Sequence, residues 1–199
     1  MCAPFKSPEG QKYFSAVNAG INCAFANRQT LVHLTRIAFE KAFGIPFKDI
    51  KTLYEIGHNT CKLEEHEGKE LIVHRKGATR AFGPGRKEIP DKYKDIGQPV
   101  LVGGTMGTAS YILAGTEKGM QECFGSGVHG AGRKMSRHAA IKRFRGERIA
   151  AELKHKGIII KAHSWRGAAE EAPQAYKDID IVVNVMDASG INKKVARLR

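Results

Sequence analysis

The sequence predicts an α+β fold, with mixed sheets and surrounding helices, on three observations. One long stretch near the start repeats apolar residues at helical spacing: Phe14, Val17, Ile21 and Phe25, then Leu31, Leu34, Ala38 and Ala42. Several short apolar runs bounded by glycine, such as Val100 to Gly104, read as strands. Helical and strand segments follow one another without the regular alternation that builds a parallel sheet.

The elements follow in order. Residues Gln11 to Phe43 are predicted to be helical, with Gly44 as the stop and Pro46 breaking any continuation. Thr52 to Ile56 is predicted to be a strand that delivers Gly57, His58 and Asn59 at its end. Cys61 to His66 is a polar, acidic stretch, with Gly68 as a turn, and Leu71 to His74 is a strand. Phe82 to Pro99 mixes proline and glycine with charges and reads as an ordered surface loop. Val100 to Gly104 and Tyr111 to Ala114 are strands, and Glu117 to Cys123 is a short helix. Lys134 to Lys156 reads as a basic helix with a break at Gly146, and Gly157 to Ala162 as an isoleucine-rich strand. A helical turn at Glu170 to Tyr176 and an apolar helix at Asp178 to Ala188 precede a basic tail from Lys193.

The charge balance narrows the partners. A net charge of +13 and a pI near 9.7 suit a protein that meets polyanions, nucleic acid first among them. No apolar run follows the opening Met-Cys-Ala-Pro-Phe-Lys as a signal peptide requires, and no stretch is apolar enough to span a membrane. The cysteines, Cys2, Cys23, Cys61 and Cys123, are scattered with no C-x-x-C pair. That spacing indicates neither a zinc site nor a disulfide framework and fits a reducing cytoplasm.

The chemistry concentrates in loops that offer glycine together with polar groups. Around Cys123 to Arg137, His129 sits among Gly125, Gly127, Gly130 and Gly132, with Arg133 and Arg137 four and eight residues on. Glycine admits the close approach of backbone amides to a ligand, and a helix beginning near Gly132 would place both guanidiniums on one face beside phosphate. The loop is neither a Walker A sequence, which needs G-K-[ST], nor a dinucleotide fingerprint, since no clean strand runs into it. Gly57-His58-Asn59 and Gly103 to Ser110 are the companion loops. His58 suits a divalent metal, Asn59 a phosphate or ribose hydroxyl, and Thr105 and Ser110 a base or phosphate. Arg75, Lys76, Arg80, Arg133 and Arg137 are candidate contacts for nucleic-acid phosphates.

Four motifs taken together resemble the RtcB-type RNA ligases: H-N at His58-Asn59, V-H-R-K-G-A-T-R-A-F at Val73 to Phe82, G-G-T-M-G-T-A-S-Y at Gly103 to Tyr111, and H-G-A-G-R-K-M-S-R at His129 to Arg137. E-E-A-P-x-x-Y at Glu170 to Tyr176 and the D-A-S-G-I-N-K-K run near the end also fit, so the match extends in order from about Lys12 to Arg199. The resemblance implies a GTP- and Mn²⁺-dependent enzyme that joins an RNA 3′-phosphate, or 2′,3′-cyclic phosphate, to a 5′-hydroxyl in tRNA splicing and RNA repair. It implies His129 as the nucleophile that carries GMP, and His58 as a metal ligand. It places His58, Asn59, Gly103, Gly104, Thr105, Met106, Ser110, His129, Gly130, Ala131, Gly132 and Tyr176 in the guanylate site, and Lys76, Arg133 and Arg137 on RNA phosphates. It further implies that residues 1–199 are the C-terminal portion of a single RtcB-like domain, incomplete here. The half that supplies the remaining ligands for two Mn²⁺ ions, and a short tail carrying a guanylate-contacting lysine, would lie outside it. That half, or an archease-type activator, is then an expected partner besides RNA and GTP. The second reading is a non-catalytic RNA- or guanylate-binding module, or a subunit of a split ligase.

Overall fold

The computed structural model describes residues 2–198, which divide into two compact units meeting in sequence at Gly77 and Ala78. The first unit opens with helix α1 (Pro8–Phe43). Its start is set by Ser7, whose hydroxyl accepts the Gly10 amide at 3.2 Å, with Pro8 in the first turn where no amide is needed. Its stop is Gly44, left-handed at φ 68°, whose amide closes on the Glu40 carbonyl.

The predicted strand at residues 52–56 does not form. Arginines of α1 hold that segment instead: Arg28 pairs with Glu55 at 2.6 Å, and Arg36 donates to the Ile50 carbonyl and the Thr52 hydroxyl. The acidic stretch after it, which carries no strand pattern in sequence, is half of an antiparallel hairpin, β1 (Asn59–His66) on β2 (Lys69–Lys76). One of its acidic charges, Glu64, is neutralised inside the hairpin. Arg75, 3 % exposed, donates to both oxygens of buried Glu64 at 2.7 and 2.9 Å, and His66 lies 3.1 Å from the same carboxylate. Arg75 is therefore withdrawn from the candidate phosphate contacts.

The second unit holds the larger core. Strand β3 (Ala78–Arg80) leads into the long surface loop, where Arg80 donates to Gln98 and stacks on Phe82, an arrangement that commits its guanidinium to the fold. Strands β4 (Pro99–Val102) and β5 (Ser110–Gly115) pair antiparallel, and helix α2 (Glu117–Cys123) follows, capped by Thr116. Strand β6 (Ser126–Val128) returns to pair with β3. Helices α3 (Arg137–Arg143), α4 (Gly146–His155) and α5 (Trp165–Glu170) come next, then α6 (Ile179–Ala188) and strand β7 (Asn192–Leu198).

Three expectations change here. The basic tail is a strand: β7 pairs with β5 to complete the order β4-β5-β7, and its Lys193, Lys194 and Arg197 keep that sheet edge charged. Residues 157–162 form no strand. Ile158 and Ile160 pack against Ile149 and Leu153 while Ile159 points out, and no neighbouring strand takes their amides. The sheets are also not mixed. Every pairing between these strands is antiparallel, with one isolated parallel bridge at Gly103 and Gly130.

The main core of this unit lies between the β4-β5-β7 sheet and α6, where Val100, Val102, Leu113 and Val183 are fully buried. Among the described residues no helix is long and apolar enough to cross a membrane.

Candidate active site

In the second unit, His129 is the first residue after β6, and it is half-buried. Its position is set by main-chain bonds. The Gly103 amide donates to the His129 carbonyl, and the Ala131 amide donates to the Gly103 carbonyl, both at 3.3 Å. The loop after β4 and the loop after β6 are thus laced together, and Gly103, Gly130, Ala131 and His129 stand side by side.

The Gly103 loop is itself ordered by its hydroxyls. Ser110 accepts the Gly104 amide at 3.3 Å, and Thr108 closes a turn on Thr105, accepting its amide at 2.9 Å and donating to its carbonyl at 2.8 Å. Thr105 reaches across to the Glu171 carbonyl at 3.3 Å. Met106 turns its side chain into the cluster of Ile149 and Leu153, and Ala131 belongs to the main core. Neither side chain therefore has a free polar role.

The segment after the glycines differs from expectation. Helix α3 begins at Arg137, capped by the Ser136 hydroxyl, and not near Gly132. Arg133 lies in an extended stretch that bridges Tyr176, fixed by the Lys134 amide on Ala175 and the Lys177 amide on Gly132. Its guanidinium donates to the Tyr176 hydroxyl at 2.8 Å, to the Glu170 carbonyl at 2.6 Å, to the Met135 carbonyl at 3.2 Å and to Glu171 at 3.3 Å, and stacks on the Tyr176 ring. Tyr176 in turn donates to Glu171. Arg137 pairs with Glu170 at 2.8 Å, its side chain 70 % exposed. Of the two arginines, Arg137 is the accessible cation, and Arg133 orders Tyr176.

Glu170 and Glu171 enter the sequence reading only as part of a motif. They lie 33 to 38 positions from the arginines they hold, a separation that spacing cannot reveal. A pair of adjacent glutamates in a chain of net charge +13 is the one signal that points to them. A second network carries no sequence signal: Tyr111 donates to Asp180 at 2.6 Å, and Arg197 donates to both. Tyr176, Thr105 and Thr108 line an open cavity of about 420 Å³ together with Lys134, Asp180 and Arg197. Its volume is within the range of small-molecule sites, about 300–1,000 Å³.

Burial, and then the hydrogen bond to Glu171, push the Tyr176 phenol above its ordinary value, with Arg133 pulling the other way. The native fold therefore favours the neutral phenol. Its contribution to stability is complete below the unfolded value of about 10 and is lost as pH rises through the raised native value. An alkaline absorbance titration is expected to show late-ionising phenols, Tyr111 also being raised by its bond to Asp180. Tyr176→Phe should remove one of them; an unchanged late phase would contradict the network.

In the first unit, His58, Asn59 and Lys76 meet at the open end of the hairpin. Asn59 is the register partner of Lys76, and the Gly77 amide donates to the His58 carbonyl at 2.9 Å. Among the described residues no three His, Cys, Asp or Glu side chains stand together as a metal site. His58 is thus at most one ligand of a larger set, and the residues present do not by themselves fit a bound Mn²⁺.

The sequence pattern of the family described as tRNA-splicing ligase RtcB matches residues 1–199. The chain belongs to the RtcB family. It is 54 % identical over 202 residues to a tRNA-splicing ligase RtcB of Pyrococcus abyssi, an alignment covering 98 % of this chain and 22 % of that protein. It is 52 % identical to the proteins of that name from Thermococcus kodakarensis and Archaeoglobus fulgidus, covering 98 % and 100 % of this chain and 42 % of each relative. The chain thus spans about one-fifth to two-fifths of the length of these RtcB relatives.

Proposed function

We propose that this RtcB-family chain carries the guanylate-transfer centre of an RNA ligase. The observation that supports this most is the placement of His129: an imidazole at the end of β6, on a glycine loop laced to the Gly103 loop, with the guanidinium–phenol network of Arg133 and Tyr176 nearby. Neutral His129 attacks the α-phosphorus of GTP. A P–N bond forms, and the bond to pyrophosphate breaks. An oxygen of an RNA 3′-phosphate then attacks that phosphorus, and His129 leaves. The RNA 5′-hydroxyl finally attacks the activated 3′-phosphate, forming the phosphodiester and releasing GMP. Covalent catalysis divides one hard transfer into easier steps.

The loop amides at Gly130 to Gly132, with Gly103 to Thr105 and Ser110, are the groups assigned to the nucleotide, and Tyr176 borders the cavity assigned to its base. Within the first unit, His58 is assigned to Mn²⁺ as one ligand of a larger set and Asn59 to a phosphate or ribose hydroxyl. Mn²⁺ would polarise the phosphoryl oxygens. Lys76 and Arg137 are assigned to the RNA, while Arg133, expected there from the resemblance, instead holds Tyr176 at the edge of the cavity. The cytoplasm and an RNA substrate of the tRNA-splicing type complete the reading.

The test is transfer of label. Protein incubated with Mn²⁺ and α-labelled GTP, alone or together with the remaining sequence of a full-length relative, is expected to retain label through denaturation, lost in acid and kept in alkali as a P–N bond requires. Label that appears only when the remaining sequence of a full-length relative is added would make this a split ligase. GTP or RNA binding without label under both conditions would overturn the proposal and leave a binding module.

Arg137 gives a separate prediction. Its pair with Glu170 is exposed and contributes at most about 1 kcal/mol, so Arg137→Ala should leave the unfolding midpoint nearly unchanged. RNA affinity should nevertheless fall, with the slope of log K against log salt flattened by about 0.7–0.9. An unchanged slope would remove Arg137 from the RNA contacts.

A further inference from the structure

The positive charge of this chain is unevenly placed. Between Arg137 and Arg166 stand nine lysines and arginines against two glutamates, in thirty residues of a chain whose net charge is +13. More than half of the excess is therefore carried by α3, α4, α5 and their connections. These helices form one body, α5 packing against both α3 and α4. The cations in it face solvent: Lys142, Arg143, Arg145, Lys161 and Arg166 are all exposed. Among the described residues, none of these five is held in an ion pair.

The chain's single tryptophan, Trp165, is set into this surface. It is the first residue of α5 and is 47 % exposed, so a large part of its ring is open. Its place is fixed by backbone. A Cβ on Gly146, the first residue of α4, would overlap the Trp165 carbonyl, so the starts of α4 and α5 are in contact and a glycine is required between them. That approach brings the backbone at Gly146 against the backbone at Trp165, so the exposed Arg145 and Arg166 stand on adjoining chain segments. Arg143 ends α3 two residues before Arg145.

An exposed aromatic ring among unpaired guanidiniums suits one partner better than others. A folded acidic protein would satisfy the cations and leave the indole without need, whereas a single-stranded nucleic acid uses both, stacking a base on the ring and laying phosphates on the cations. Resting on the reading of this chain as an RNA-joining protein, we propose that the α3–α4–α5 face is a second RNA-contact surface. On it Trp165 stacks an unpaired base, and Arg143, Arg145 and Arg166 hold the flanking phosphates. It lies outside the residues assigned to GMP transfer, so its role is to hold the body of the RNA while the reacting ends are joined.

Because Trp165 is the only tryptophan, its fluorescence reports this face alone. The chain would be titrated with end-labelled single-stranded RNA, following anisotropy of the label and tryptophan emission together, with double-stranded RNA and heparin in parallel. The expected result is quenching that tracks binding of single strands. Trp165→Ala should bind about five- to 150-fold more weakly and Trp165→Phe should be largely restored, as stacking requires. Arg145→Ala and Arg166→Ala should each flatten the salt slope by about 0.7. GMP labelling of His129 should be unchanged in all four variants. RNA binding with no change in emission, and with the variants unaffected, would overturn this surface and leave the ligase reading intact. Quenching by heparin or duplex equal to that by single strands would also overturn it. No RNA binding by anisotropy would overturn the surface and the RNA substrate together.

Discussion

His129→Ala is expected to retain no label from α-labelled GTP, with any residual rate down by about a thousandfold or more, as when a covalent nucleophile is deleted. The weight of this result lies in what should not change. The loop around position 129 is held by carbonyls and amides, Gly103 on His129 and Ala131 on Gly103, and alanine supplies the same backbone atoms. The β3–β6 pairing that leads into it likewise uses only main chain through Val128. Those main-chain bonds should survive the substitution, and the variant should remain folded, with a cooperative unfolding transition. A folded, unlabelled variant assigns the covalent bond to this imidazole. Label surviving in His129→Ala would place the nucleophile elsewhere and undo the proposed chemistry.

Phe82→Ala is expected to destabilise the second unit by about 3–5 kcal/mol, a large share of the roughly 5–15 kcal/mol typical of a whole protein. Phe82 has no exposed surface, and its ring lies between the guanidiniums of Arg80 and Arg86 at 4.7 and 4.8 Å. Against its edge runs Gly125, at φ 56° and so close that a Cβ there would strike the ring. Phe82 follows β3 and Gly125 precedes β6, with the Ala81 amide bonded to the Gly125 carbonyl at 2.7 Å. The ring therefore fixes the two chain ends that frame the route to His129. Phe82→Leu, which keeps most of the volume, should cost far less. Chemical denaturation measures both. A midpoint unmoved by Phe82→Ala would show that the site of the ring can collapse at little cost.

Part of this site is legible in the amino-acid sequence itself. The run from His129 to Arg137 and the run from Gly103 to Tyr111 are local, and each carries its chemistry in consecutive residues. The long helix is legible for the same reason, since its caps at Ser7 and Gly44 and its apolar repeat are local signals. The segments that mislead share another property. Residues 52–56 and 157–162 have the composition of strands, but a strand needs a neighbour to take its amides, and neither finds one. Residues 192–198 look like a solvated tail, yet β5 offers an edge and they take it.

By itself the sequence determined the family, the strongly basic surface, and the identity of the groups able to do chemistry, because those are properties of residues and their short spacings. Tertiary structure alone decided which groups are free to act. Arg75 is spent on Glu64, Arg80 on Gln98 and Phe82, and Arg133 on Tyr176 and the Glu170–Glu171 pair, while Arg137 stays open to solvent. An arginine is equally charged in each place. What differs is the carboxylate or carbonyl that folding brings to it from 11 to 38 residues away, and no local pattern records that partner.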